Sequence, residues 1–171
     1  KYNFNEFNPD DLGKISNNEF ALDTWRFNLY NQTITDAQRN NGASGAINQI
    51  SFGVDQFLNE NFFINYNANF AYNGQNSGGM ASGTLGPGAQ LNLGKFHPYL
   101  IIPVGEIGGG GIDAGDGLIV EPSIGTFFDL TRYFSLNAGV GVMQSFNGSL
   151  QTPFVNAGIS YRFATLTTSS N

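Results

Sequence analysis

The chain has 171 residues, 40% of them hydrophobic and only 12% charged, with a net charge of −6, 23 glycines, one histidine and no cysteine. A soluble domain usually draws roughly 25–35% of its surface from Lys, Arg, Glu and Asp, so something other than charge faces outward here. The absence of cysteine excludes a disulfide scaffold, and seven scattered Lys and Arg exclude the basic stripe that nucleic acid requires.

In chain order, Lys1–Glu19 carries Asn8-Pro9 and Asp10-Asp11 but little periodicity, so it reads as a segment outside the repeating part. It sits either beside the fold or in its mouth as a partial plug, and Phe4, Phe7 and Leu12 equally suit docking on a partner protein. Its start, Lys1-Tyr-Asn-Phe, lacks the apolar stretch of a signal peptide, so the expectation is that a leader was removed or that none was used. Eight segments then alternate apolar and polar residues between turn signals: Phe20–Gln32, Ala46–Phe57, Asn61–Tyr72, Thr84–Leu93, Pro98–Ile107, Leu118–Asp129, Tyr133–Gln144 and Pro153–Phe163. Residues 164–171 read as a tail. The connections alternate strictly between tight and long: Leu58–Glu60, Gly94–His97 and Leu130–Arg132 against Thr33–Gly45, Asn73–Gly83, Gly108–Gly117 and Ser145–Thr152.

Within each strand the period of two separates a greasy face from a small polar one. Trp25, Phe27 and Leu29 oppose Thr24, Arg26 and Asn28; Ile50, Phe52 and Val54 oppose Gln49, Ser51, Gly53 and Asp55. Phe62, Ile64, Tyr66, Ala68, Phe70 and Tyr72 oppose Phe63, Asn65, Asn67, Asn69 and Ala71, and Phe134, Leu136, Ala138, Val140 and Val142 oppose Ser135, Asn137, Gly139 and Gly141. In the last strand Val155, Ala157, Ile159, Tyr161 and Phe163 oppose Asn156, Gly158, Ser160 and Arg162. Only Pro98–Ile107 is apolar on both sides. The polar face uses Asn, Ser, Gly and Gln rather than the Lys and Glu of a water-facing sheet. The greasy face puts Phe62, Phe128, Phe134, Tyr161 and Phe163 beside the short turns and small aliphatics mid-strand, as an interfacial aromatic girdle requires. The apolar runs are too short for membrane helices, so a bilayer would be crossed only by a closed barrel. The predicted fold is all-β, an eight-stranded antiparallel up-and-down transmembrane β-barrel over residues 20–163.

The strand–turn rhythm, Phe57-Leu-Asn-Glu-Asn-Phe-Phe63, Phe128-Asp-Leu-Thr-Arg-Tyr-Phe-Ser-Leu136 and the closing Gly158-Ile-Ser-Tyr-Arg-Phe163 resemble the small eight-stranded outer-membrane barrels of the OmpA, OmpW and opacity-protein kind. The resemblance implies a bacterial outer-membrane protein with short periplasmic turns and long outer loops, without enzymatic activity or cofactor. It would act as a structural or interaction component touching outer-membrane lipid, lipopolysaccharide and protein partners at its periplasmic side or loops. It also implies a terminal Phe at the position of Phe163, whereas eight residues follow it. Two alternatives remain: a narrow channel or lateral-release carrier for small, hydrophobic solutes, and a soluble secreted ligand-binding barrel.

Four charges fall on the inner face: Arg26, Asp55, Glu121 and Arg162. Alone in a low-dielectric interior they are costly, so pairing is expected, either as a salt-bridged filling or as a solute-selective constriction. Pro87, Pro103 and Pro122 stand in three consecutive strands and cannot donate to the ladder; they mark either bulges or a possible lateral opening. His97 precedes Pro98 and reads as a turn residue, which leaves no imidazole for a hydrolase at the outer leaflet. Gly108-Gly-Gly-Gly-Ile-Asp113, followed by Asp116, matches the glycine-rich half of a calcium nonapeptide, but one copy reads as a flexible loop and no metal is expected. The sequons at Asn31 and Asn147 carry little weight in a bacterial chain.

Overall fold

In the computed structural model, residues 20–74 and 79–168 are described; the segment 1–19 expected outside the barrel falls beyond them. Ten strands follow one another: β1 Phe20–Gln38, β2 Ser44–Phe57, β3 Phe62–Gly74, β4 Ala81–Gln90, β5 Phe96–Ile101, β6 Val104–Gly108, β7 Leu118–Val120, β8 Ser123–Asp129, β9 Phe134–Ser145 and β10 Gln151–Thr168. All pairings are antiparallel, and β1 bonds to both β2 and β10, so the sheet closes on itself. Closure leaves no unpaired edge, the condition for a sheet to sit in hydrocarbon.

The ten strands make eight staves, because β5 with β6 and β7 with β8 are single staves interrupted at Pro103 and Pro122. Leu85 faces Val104 and Gly88 faces Ile101, Val104 faces Val120 and Ile101 faces Ser123, and Val120 faces Gln144 and Ser123 faces Gly141. Each of these pairs keeps one register across its proline, so the prolines mark no bulge. They remove a donor and keep an acceptor: the Pro87, Pro103 and Pro122 carbonyls accept from Ile102, Glu121 and Val142 at 3.0, 3.0 and 3.1 Å. The register shifts lie elsewhere, between Ile34 and Ala37 and between Asn48 and Gln49, near the long loops.

Two strands outrun their sequence signal. β1 continues to Gln38, and β10 continues through Ala164–Thr168, paired with Phe20–Thr24. Five residues expected in the tail therefore belong to the wall. Beyond the apolar belt a strand no longer needs to alternate, so backbone pairing persists where the pattern fades.

The predicted faces are the observed ones. Phe27, Phe52, Phe62, Tyr66, Phe70, Leu85, Leu100, Ile124, Leu136, Val140 and Ile159 project outward with 40–58% of their surface free, while Arg26, Asn28, Gln49, Ser51, Asp55, Asn65, Asn69 and Ser160 are buried inside. A soluble ligand-binding barrel would need the reverse. The short-turn rim is a chain of ring contacts, Phe96–Phe128 at 4.9 Å, Phe134–Tyr161 at 5.1 Å and Tyr161–Phe163 at 6.0 Å between centroids.

The interior is layered. At the long-loop end Ile34, Ile47, Met80, Ile107, Ile119, Met143, Leu150 and Phe154 form a buried apolar cluster; at the short-turn end Phe63, Tyr99, Ile101 and Phe127 form a second one against Phe57. The polar residues lie between. Large rings are housed on inward glycines: a Cβ on Gly125 or Gly139 would come within 2.5 or 2.2 Å of the Tyr99 hydroxyl, and one on Gly125 within 2.3 Å of the Ala138 carbonyl. Gly125→Ala is therefore expected to cost about 1–3 kcal/mol by overpacking, read as a lower urea midpoint in micelles.

Candidate functional site

The lumen network begins at Arg26. Its neighbours Trp25 and Phe27 take the lipid face, so the alternation of β1 turns it inward, where it is fully buried. Cross-strand on β2 stands Asp55, and cross-strand on β10 stands Arg162. Arg26 Nε donates to Asp55 Oδ2 at 2.7 Å and Nη1 to Gln90 Oε1 at 2.8 Å, while its guanidinium lies 3.4 Å from the Phe127 ring centroid and 5.0 and 5.2 Å from those of Phe57 and Phe63. Asp55 also accepts from Asn28 Nδ2 at 2.8 Å and Asn65 Nδ2 at 2.7 Å. A buried ion pair offsets its desolvation only with such supporting bonds.

From this pair two hydrogen-bonded chains run around the wall. One passes from Gln90 Nε2 to Asn92 Oδ1, which His97 Nδ1 meets at 2.9 Å; His97 Nε2 meets Asp129 Oδ2 at 2.8 Å, and Ser135 Oγ donates to Asp129 Oδ1 at 2.6 Å. His97 is thus a buried, inward residue of β5 rather than a turn residue. Its partner Asp129, not the imidazole, receives the Ser135 hydroxyl, so no nucleophile–base pair forms. The other chain passes from Asn137 Nδ2 to Ser160 Oγ at 2.7 Å, from Ser160 Oγ to Asn28 Oδ1 at 2.7 Å, and from Asn28 to Asp55.

Of the four charges expected to pair, Arg26 and Asp55 do so. Arg162 forms no ion pair with Asp55 or Glu121; its guanidinium lies 5.6 Å from the Phe57 ring centroid. Glu121 is 3% exposed, and its Oε1 has no hydrogen-bond partner. It faces a chamber of about 30 Å³, room for one or two waters, lined also by Tyr30, Gln32, Asn67, Tyr99 and Asn137.

The long-loop end is covered by Gly109–Gly117. Gly109, Gly110 and Gly111 hold φ of 79°, 64° and 66° in succession, a left-handed run that side chains other than glycine resist. It throws the loop across the mouth, where Ile112 and Ala114 enter the apolar cluster. The cap is tied to the end of β1 and the residues after it by Asn40 N to Gly111 O at 2.9 Å, Asp113 N to Gln38 O at 3.0 Å and Arg39 Nη1 to Gly110 O at 3.3 Å, and to the last loop by Leu150 N to Asp113 O at 3.0 Å. Asp116 accepts from Asn147 and Asp113 from Ser149. Those carboxylates fasten the cap, and among the described residues no three acidic, imidazole or thiol groups converge on one point.

The chain therefore presents a closed ring of eight staves, greasy outside, filled inside. That is the fold of the small eight-stranded transmembrane β-barrels. Neisserial surface protein A superposes with a TM-score of 0.56 over 82% of this chain and 97% of its own, at 14% identity. Ail, the attachment invasion locus protein of Yersinia pestis, gives 0.51 over 82% and 98% at 12% identity, and a de novo designed transmembrane barrel 0.52 over 85% and 96% at 15% identity. No family model matches the chain, and no curated protein matches it by sequence.

Sequence reasoning placed Arg26, Asp55, Glu121 and Arg162 on one face and missed how they are partnered. It also passed over two signals: the Asn-rich inner face of β3, which carries amide hydrogen bonds, and inward Ile107, Ile119 and Met143, which pack under the cap.

Proposed function

We propose that this chain is a non-enzymatic component of a bacterial outer membrane, a closed barrel with a structural or interaction role that presents its capped loop end outward. The supporting observation is the filling of the lumen at both ends: an apolar cluster under the loop cap, Arg26 sandwiched among Phe57, Phe63 and Phe127 at the other end, and between them a polar layer around a small chamber. The exposed belt lies against acyl chains, including those of lipopolysaccharide. The long-loop end carries the carboxylates of Asp36 on β1 and of Asp113 and Asp116 on the cap, whereas the arginine beside them, Arg39, is 8% exposed. Ail has been seen with the heparin analogue sucrose octasulfate; the acidic cap here favours neutral or cationic partners instead.

Single-cysteine labelling tests this reading, because the chain has no cysteine of its own. Ala43→Cys on the loop side should react with a membrane-impermeant maleimide on intact cells, and Glu60→Cys on the short-turn side only after lysis. Equal labelling of both on intact cells, or recovery of the protein in the detergent-free soluble fraction, contradicts it.

A second reading, lateral release of small apolar solutes, draws on the three adjacent staves that each lack a donor at Pro87, Pro103 or Pro122. A Val104→Cys and Leu85→Cys disulfide across that wall should abolish such release and leave a purely structural barrel unaffected.

A further inference from the structure

We propose that the chamber at the middle of the lumen is a binding site for a small monovalent cation of the sodium class, held by the Glu121 carboxylate and the side-chain oxygens of Asn137 and Asn67. All three line one cavity, and Glu121 Oε1, Asn137 Oδ1 and Asn67 Oδ1 are each buried without a hydrogen-bond donor.

The orientation of Asn137 is dictated by the network. Asp55 can only accept, so Asn28 must turn its Nδ2 to it and its Oδ1 to Ser160. The Ser160 hydroxyl proton goes to that Oδ1, and Ser160 must then accept from Asn137 Nδ2. The relay ends with the Asn137 carbonyl oxygen aimed at the chamber. Asn67 donates its Nδ2 to Asn69 Oδ1 at 3.0 Å, leaving its own oxygen toward the same space. The Gln32 amide nitrogen faces the carboxylate but lies outside hydrogen-bonding geometry, and neither Arg26 nor Arg162 forms an ion pair with Glu121.

Orphaned buried oxygens around a carboxylate that has an amide but no cationic side chain beside it favour a bound positive charge. All three donors are hard oxygens, which suit alkali and alkaline-earth ions. One carboxylate balances one charge, which selects the monovalent ion over calcium, and about 30 Å³ admits sodium with a water ligand but no organic cation.

The test uses the full chain refolded in micelles, with thermal unfolding followed by the fluorescence of Trp25, the single tryptophan. Sodium chloride is exchanged for N-methyl-D-glucamine chloride at constant ionic strength. The midpoint should rise with sodium, by about 5 °C over a hundredfold range above the dissociation constant. Glu121→Gln should flatten the dependence, while Glu106→Gln, on the exposed outer face, should retain it. If Glu121→Gln does not fold, Asn137→Leu serves in its place and should weaken the dependence, and crystals grown with thallium(I) should show an anomalous peak within the chamber. Equal midpoints in the two salts, an unchanged dependence in Glu121→Gln or Asn137→Leu, or a chamber without thallium density would overturn the proposal and leave a site holding water alone.

Discussion

Asp55→Ala is expected to destabilise the barrel by about 3–5 kcal/mol, the range for breaking a buried ion pair by removing one partner. The loss is concentrated because this carboxylate accepts from Arg26, Asn28 and Asn65 at once. Without it, a fully buried guanidinium keeps only Gln90 and three aromatic faces. Arg162, directly across the ladder, adds like charge that Asp55 no longer offsets. Urea unfolding in micelles should show the midpoint collapse, and the heat-modifiable gel band should weaken. The paired change Arg26→Met with Asp55→Leu should recover most of the loss, since it removes both charges together. A single Asp55→Ala variant with wild-type stability would mean that the pair is solvated.

Ile112→Asp is expected to release the loop cap. Ile112 is 8% exposed, packed in the cluster with Ile34, Ile107 and Ile119, and bridged to Arg39. A carboxylate there is desolvated in an apolar layer, at a cost of several kcal/mol that pairing with Arg39 across the bridge offsets only in part. The cap is held by about six hydrogen bonds that water can replace, so it should detach before the wall unfolds. Arg39, now 8% exposed with Nη1 on the Gly110 carbonyl, should become the readout: trypsin should cut after it rapidly in Ile112→Asp and slowly in wild type. Equal cleavage rates would show that the cap is open in the native protein.

Much of the fold is legible from alternation because a membrane wall punishes exceptions. A single polar residue turned to lipid is costly, so every stave announces its faces except the one over Pro98–Ile107, which is apolar on both sides. What fades is whatever lies above or inside the belt. β1 runs on through Thr33–Gln38, where backbone pairing continues without an apolar stripe, and β10 runs past Phe163 because Ala164–Thr168 find partners in Phe20–Thr24. Pro103 and Pro122 read as weak points of the ladder; their carbonyls still accept, so the register passes through them unshifted.

The site was legible as a face and not as a depth. Period two tells that Arg26, Asp55, Glu121 and Arg162 point inward, but their pairing depends on stagger between staves, which no local pattern encodes. Arg162 sits across from another arginine, and Glu121 stands apart by the chamber. His97 looked like punctuation before a proline; the alternation of Phe96, Pro98 and Leu100 outward turned it inward to Asp129. The glycine run at Gly108–Gly111 looked flexible in isolation, yet Gly109, Gly110 and Gly111 take left-handed geometry that carries the loop over the mouth.

A membrane-spanning wall around a closed lumen should pass no ions. Ion conductance of the purified wild-type chain in planar bilayers tests it most directly. Insertion confirmed by the heat-modifiable band, with current indistinguishable from a protein-free bilayer across the voltage range, is the predicted result; reproducible ohmic steps from inserted protein would contradict it.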